Sequence, residues 1–405
     1  MNKRIVISGI GIISPLGTNK DEFWRALRNG VSGFKAEGHV SGRFGARKAA
    51  LIRNETIKPM FKGGQLAPNR CSNLAYLAAR MALVDSGLTI DEKNTDLFGV
   101  CTASTLSNLS CLAKLTRQAL KGGMRDLDPT LLPHSLLNST SSYISIKLNI
   151  QGFNTTISNG QTSSLDAIDY AANLIKLDRV ACVIVIGVEE VAKVVLDAFS
   201  SEGMLAGNNG RQICCPFDKR RNGLVLGEGA IGLVIEDIQH AFSREAKIYA
   251  EILGYGNYFS CLKGSRFSGV QKSMAKSIEK SRLDIRQIDY ISAAANSDQF
   301  LDLSETIAVK KLFGSNAKRI PVSAIKSMIG ETISAAGLFQ VVSAIGMMHN
   351  NFVAPTINYR VRDPGCDLEY IPNKSIVKKI NTALINNIGF TGSSSTLIIS
   401  KPQPN

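Results

Sequence analysis

Residues 154–171, Asn-Thr-Thr-Ile-Ser-Asn-Gly-Gln-Thr-Ser-Ser-Leu-Asp-Ala-Ile-Asp-Tyr-Ala, form the stretch best arranged to do chemistry. A β-branched run ends at Ser158, Asn159 and Gly160, and apolar residues then recur at helical spacing (Leu165, Ile168, Ala171, Ala172, Ile175). A strand, tight turn and helix of this kind presents Gln161 at or near a helix N-terminus, where unpaired N–H groups and the macrodipole favour negative charge. A cysteine or serine on such an elbow would be an exposed nucleophile. Gln161 has only a primary amide, with neither thiolate nor alkoxide to offer. The stretch therefore reads as an elbow whose nucleophile has been disarmed.

The elements that must position it alternate along the whole chain. In the first half, strands are expected over 4–9, 97–102 and 181–188, and helices over 21–29, 73–85 and 136–148. A further helix carries Leu109, Leu112, Leu115 and Leu120, and the glycine- and lysine-rich segment 30–64 reads as surface loop. The second half, from about residue 246, gives strands over 248–254, 290–294, 321–323, 382–388 and 395–399, with helices over 270–282, 303–313 and 332–350. Such alternation implies an α/β architecture with buried sheets. The similar element order of residues 1–245 and 246–405 raises a suspicion of internal duplication. A G-x-G-x-x-G at Gly227, Gly229 and Gly232 precedes the strand-like Leu233-Val-Ile235, so it lacks the helix that a dinucleotide fingerprint requires. Close backbone approach is the better reading of those glycines. No cofactor is expected.

Composition narrows the function classes. The chain has 405 residues, 44% of them hydrophobic, and a net charge of +14. Its Lys and Arg are scattered, with Lys219-Arg220-Arg221 the densest cluster and no interleaved aromatics. That favours an unspecific solubilising charge over an acidic protein partner, and either over nucleic acid. Eight cysteines show no C-x-x-C spacing and the four histidines do not flank them, which argues against zinc. Buried, reduced thiols in a cytoplasmic protein are expected. No apolar run approaches the ~18 residues of a membrane span.

Five motifs occur in order: Val6-Ile-Ser-Gly-Ile-Gly-Ile-Ile-Ser-Pro-Leu-Gly17, Pro216-Phe-Asp-Lys-Arg-Arg-Asn-Gly-Leu-Val-Leu-Gly-Glu-Gly-Ala230, Lys326-Ser-Met-Ile-Gly330, Ala335-Ala-Gly337 and Asn387-Ile-Gly-Phe-Thr-Gly392. Through them the chain resembles, end to end, the β-ketoacyl-acyl carrier protein synthases of fatty acid and type II polyketide biosynthesis. The resemblance implies the thiolase fold, two similar α/β halves stacked in five αβαβα layers and acting as a dimer. It also implies a Cys-His-His site that decarboxylates malonyl-carrier protein and condenses the product with a bound acyl chain.

Counted onto this sequence, the Cys position is Gln161. The first His position is Ala294, eight residues before Asp302, and the second is Glu331. All three reactive groups are absent, while the family's supporting positions Lys326 and Glu305 are retained. Phe390 matches a phenylalanine that gates the acyl pocket, although the text around it reads Gly-Phe-Thr-Gly-Ser-Ser-Ser instead of Gly-Phe-Gly-Gly-Thr-Asn.

Gln at the Cys position is similar to the chain-length factor, or ketosynthase β subunit, of type II polyketide synthases. That subunit pairs with a Cys-containing ketosynthase α and limits the length of the polyketide chain at the interface, while acyl carrier protein serves the complex. The strand leading into Gln161 would lie at that interface. The limiting residues would be Leu109, Leu112 and Thr116, whose spacing puts them on one helical face. That face fits a tunnel wall and an ordinary core face equally well. The alternative activity is decarboxylation of malonyl-carrier protein to prime the chain, but Ala294 offers an enolate nothing and a Glu331 carboxylate would oppose its charge.

Overall fold

A computed structural model describes residues 3–35, 39–43, 45–61, 66–207, 211–261 and 266–402, with only the backbone of His39, Ala46 and Arg266. The apolar β-branched runs become ten strands: β1 (Ile5–Ile13), β2 (Phe98–Ala103), β3 (Asn154–Ile157), β4 (Cys182–Glu189), β5 (Gly229–Asp237), β6 (Ala250–Phe259), β7 (Tyr290–Ser292), β8 (Val322–Ser323), β9 (Thr382–Ile388) and β10 (Ser393–Ser400). They form one mixed sheet in the order β8-β7-β9-β10-β6-β1-β5-β4-β2-β3. Read inward from either edge, each half runs third, second, fourth, fifth, first strand. Strand directions repeat as well: the outer pairs are parallel and the inner pairs antiparallel. The halves join where Ile5–Ile7 pair with residues 250–252.

Helices cover the sheet in layers. Helices Arg70–Ser86 and Ser139–Leu148 pack on strands of the first half, and Arg266–Ser281, backed by Gln299–Phe313, packs on β6 and β10. Between the halves lie Ser163–Lys176 and Ala336–Asn350, which touch one another and strands of both halves. Every residue from Ala336 to Met348 is buried, as a helix enclosed between the two halves of the sheet must be. Strands β1 and β4 are buried at every position, which explains their largely apolar text. These are the five layers of the thiolase fold.

Two expectations need correction. Segment 30–64 is more than loop: His39–Gly42 and Gly45–Lys48 pair as a hairpin, and Asn54–Ile57 is a short helix. Residues 36–38, 44 and 62–64 of that segment lie outside the described residues. The hairpin packs on helix Lys193–Ser201, where Asp197 accepts the Arg43 N–H at 2.6 Å, a long-range contact that local composition does not disclose. Helix Lys193–Ser201 itself is an element the sequence pattern left unassigned.

The glycine motif does what close approach requires. A Cβ on Gly227 would stand 1.9 Å from the Ile329 carbonyl oxygen, and one on Gly232 would stand 2.7 Å from that of Ala78. Gly227 N–H in turn donates to the Glu331 carbonyl at 3.0 Å. Its missing side chain thus seats the turn that carries Glu331. Among the described residues no helix is long and apolar enough to cross a membrane.

Candidate functional site

The elbow forms as its residue types dictate. Strand β3 ends at Ile157, Gly160 turns at φ +63, and a single 3-10 turn, Gly160–Thr162, leads into helix Ser163–Lys176. Three of its hydroxyls are engaged: Ser163 Oγ donates to the Gly160 carbonyl at 2.6 Å, Thr162 Oγ1 to that of Asn159 at 3.0 Å, and Ser164 Oγ accepts from Leu338 N. Ser158, just before the turn, is exposed and lines the cavity.

Gln161 is buried, yet it faces a cavity of about 800 Å³. Its lining is mixed, with apolar or aromatic Leu106, Phe199, Tyr258, Phe259, Ile333 and Phe390 and polar Asn159, Thr162, Asp166, Asn257, Ser393 and Ser395. The Phe390 N–H donates to Gln161 Oε1 at 3.3 Å. A backbone donor facing an elbow is what stabilises an oxyanion in acyl transfer; here the glutamine's own carbonyl already satisfies it. The Phe390 ring stacks edge-on against Phe199, with centroids 6.0 Å apart.

A polar network forms around Asp166. Asp166 accepts from Asn159 Nδ2 at 2.8 Å, Thr162 Oγ1 at 3.1 Å, Tyr255 OH at 2.6 Å and also from Ser395 Oγ. Burial, then the Asp166 charge, push the Tyr255 hydroxyl far above its ordinary range, so it stays protonated and donates to Asp166. Asp166 belonged to the stretch singled out in the sequence, but its spacing from Thr162 gave the only hint of this role.

Ala294 and Glu331 do not line the cavity; they belong to a buried cluster next to it. Ala294 offers only its N–H, held by Glu305 Oε1 at 3.0 Å. Glu305 also takes Ala295 N and Asn386 Nδ2, each at 3.0 Å, and burial pushes its carboxyl up. Glu331 Oε2 accepts from Lys326 Nζ at 2.9 Å and from Asn296 Nδ2 at 2.7 Å, while Oε1 accepts from Ile333 N at 2.9 Å. The expectation that Glu331 presents an opposing charge to a reacting group is therefore corrected. Its charge is paired with Lys326, and its oxygens are committed to three donors. Asn296 and Asn386, which complete this cluster, carried no signal in the sequence.

Glu331 also stabilises an awkward backbone. Ile333, a β-branched residue, sits at φ +47 and lines the cavity. Such a conformation persists only where surroundings enforce it. The turn Ile333–Ala335 packs on Gly160–Thr162, so the N-termini of helices Ala336–Asn350 and Ser163–Lys176 begin side by side.

Leu109, Leu112 and Thr116 are not brought together with Gln161. Helix Leu109–Gly122 buries Cys111 and Leu115, whereas Leu112 is 43% exposed and Thr116 is exposed. The core-face alternative therefore falls for these two. Leu109 is half-buried against the cluster that contains Leu106 and Phe390. None of the three lines the cavity.

Among the described residues, no cysteine or histidine lines the cavity either. Seven cysteines are buried, and burial pushes each of their thiols up, away from thiolate. His349 Nε2 lies 2.9 Å from the Tyr249 carbonyl near the end of its helix. His240 does approach Cys182 and Glu236, a grouping of ligand-type atoms that sequence spacing hid. Glu236 there already accepts from Ser8, His240 and Arg244, so a cation would meet the Arg244 guanidinium.

Comparison with known proteins agrees with this architecture. Residues 2–241 match the β-ketoacyl synthase N-terminal domain and residues 249–360 the β-ketoacyl synthase C-terminal domain. The 3-oxoacyl-[acyl-carrier-protein] synthase 2 of Coxiella burnetii is 33% identical over 98% of this chain and 99% of its own. The ishigamide ketosynthase/chain length factor superposes with a TM-score of 0.89 at 27% identity, over 100% of both chains. A type II polyketide synthase ketosynthase in complex with its acyl carrier protein, AntDE:AntF, gives 0.88 at 27% identity, over 99% of this chain and 100% of that one. With both family domains matched in order over this fold, the chain belongs to the β-ketoacyl synthase family.

Proposed function

We propose that this chain is the non-catalytic chain-length factor (ketosynthase β) of a type II polyketide synthase, with residues 1–245 and 246–405 as its two halves. It would pair with a Cys-containing ketosynthase α in the cytoplasm, receive acyl carrier protein through that complex, and help to set the length of the growing polyketide at the interface. The observation that carries this reading is the Gln161 carbonyl resting on the Phe390 N–H in a cavity without thiol or imidazole. Loss of a nucleophile and of oxyanion donors removes several powers of ten in rate.

Surface features support a partner. Strand β3 is the last in the sheet, and Leu112, Leu120, Met124, Leu132, Leu136 and Ile146 are all exposed within one stretch of chain. A free sheet edge beside apolar side chains is costly unless something covers it. Thr116 and Leu112 on the open face of their helix suit a wall that is completed by a second subunit. Malonyl decarboxylation is disfavoured, since Ala294 has no side-chain donor and Glu331 is committed to Lys326.

Co-expression with a Cys-containing ketosynthase tests the reading. A stable heterodimer whose product depends on this chain is expected, with negligible CO2 release from malonyl-carrier protein by this chain alone. Brisk release by the chain alone would replace this reading with the decarboxylase.

A further inference from the structure

We infer that Glu189 and Glu190 are positioning residues for the cavity wall: together they clamp segment 105–110 and so fix where helix Leu109–Gly122 stands. In its consequence for product length, this rests on the function proposed above. Glu189 ends strand β4 and is fully buried. Its Oε1 accepts from Thr105 N at 2.6 Å, from Leu106 N at 3.1 Å and from Ser334 Oγ, and its Oε2 from Leu106 N at 3.2 Å. Thr105 and Leu106 line the cavity, and Ser334 adjoins Ile333, which also lines it. One carboxylate therefore ties together wall segments that come from different halves of the molecule.

Glu190 extends the clamp into the helix. Its Oε1 accepts from the Ser110 hydroxyl, in the first turn of Leu109–Gly122. That helix has no side-chain N-cap: Asn108 has helical backbone angles in place of the extended ones a cap requires, and its Nδ2 donates to the Ser135 carbonyl at 2.8 Å. A carboxylate at an uncapped N-terminus suits the helix dipole and holds the first turn in register. Two adjacent buried carboxylates repel, and the Arg70–Glu228 ion pair, closed at 2.7 Å, faces Glu190 from the neighbouring elements. Acceptors that served only stability could be spread anywhere. Here the donors they hold are the wall residues Thr105 and Leu106, Ser334 beside the wall residue Ile333, and Ser110 in the helix the wall leads into.

The test reconstitutes the complex with a Cys-containing ketosynthase and acyl carrier protein and compares product lengths. Glu189→Gln places an amide NH2 against two N–H groups, and it should shift or split the main product by at least one two-carbon unit. Ser110→Ala and Glu190→Gln should give one and the same altered distribution, and their double variant no more. Leu112→Trp is run beside them. If it shifts length while Glu189→Gln and Ser110→Ala do not, the clamp is overturned and the chain-length reading stands. If no variant shifts length, the chain-length reading falls. Amide exchange at Thr105 and Leu106 in the full chain then decides the clamp: about tenfold faster exchange in Glu189→Gln supports it, and unchanged exchange overturns it. Should Glu189→Gln fail to fold, Ser110→Ala carries the same comparison, with exchange read at Leu112 and Ala113.

Discussion

Lys326 and Glu331 meet at 2.9 Å with both side chains sealed from water, at the turn where the family resemblance puts an imidazole. A buried ion pair adds little over a well-packed apolar pair, but an orphaned partner leaves an uncompensated charge. Lys326→Met should therefore cost about 3–5 kcal/mol. Lys326→Met combined with Glu331→Gln should recover much of that loss. Urea midpoints of the three proteins check this; equal midpoints for the single and double variants would contradict it.

Restoring the nucleophile alone should not restore condensation. In Gln161→Cys the Phe390 N–H is released, yet Ala294 still supplies no imidazole and Glu331 still faces Lys326. Ketosynthase turnover by this variant in the absence of a Cys-containing partner should stay at background. Appreciable product would refute the non-catalytic reading.

The wall residues should act only in the assembly. Because Leu112 and Thr116 are exposed in the single chain, Leu112→Trp and Thr116→Phe should change its stability by no more than about 0.5 kcal/mol. With the α partner, each should shorten the main product. Mass spectrometry of the products and a thermal melt of the isolated chain separate these effects.

Stability should depend on pH in two opposite senses. Burial pushes the carboxyls of Glu189 and Asp302 up to about 7 in spite of their hydrogen bonds. A raised folded pKa gives stability that is complete below the ordinary carboxylate value and lost as pH rises through about 7. Burial also acts upward on Glu236, but His240, Arg244 and Ser8 outweigh it and hold that carboxyl at about 2, so its contribution is lost as pH falls toward 2. The stability gap between wild type and Glu189→Gln should narrow as pH rises from 5 to 8. Urea titrations at the two ends measure it, and a constant gap would exclude the Glu189 titration.

Gly227→Ala should disturb the Glu331 turn from outside it. The added Cβ would meet the Ile329 carbonyl, a backbone atom that cannot swing away. A loss of about 1–3 kcal/mol is expected from such overpacking, read as a lowered melting temperature.

Much of the fold was legible because buried strands write themselves as apolar β-branched runs and helices as a 3.6-residue period. Sheet order was not, since Ile5 opposite Ile252 is a pairing between distant parts of the chain. The Gln161 elbow could be read from a strand, a glycine and a helical spacing. The meaning of Glu331 could not, because its effect depends on Lys326 and Asn296 meeting it in space. Leu109, Leu112 and Thr116 showed a common face without showing what lies opposite it; only the burial of Cys111 and Leu115 settles which side points inward. Phe199 sits on a nine-residue helix too short for its periodicity to stand out.

The repeated strand order has a consequence for how such a site can decay. In each half a 3-10 turn leads into the central helix, Gly160–Thr162 in one and Ile333–Ala335 in the other, and these two turns pack together. The cavity therefore opens at a seam between two halves with the same strand order. Side chains at the seam can be exchanged, as Gln161 and Glu331 are relative to the family pattern, while both scaffolds that hold them stay whole. Reactivity in this architecture is a tenant of the seam, and the building stands when the tenant leaves.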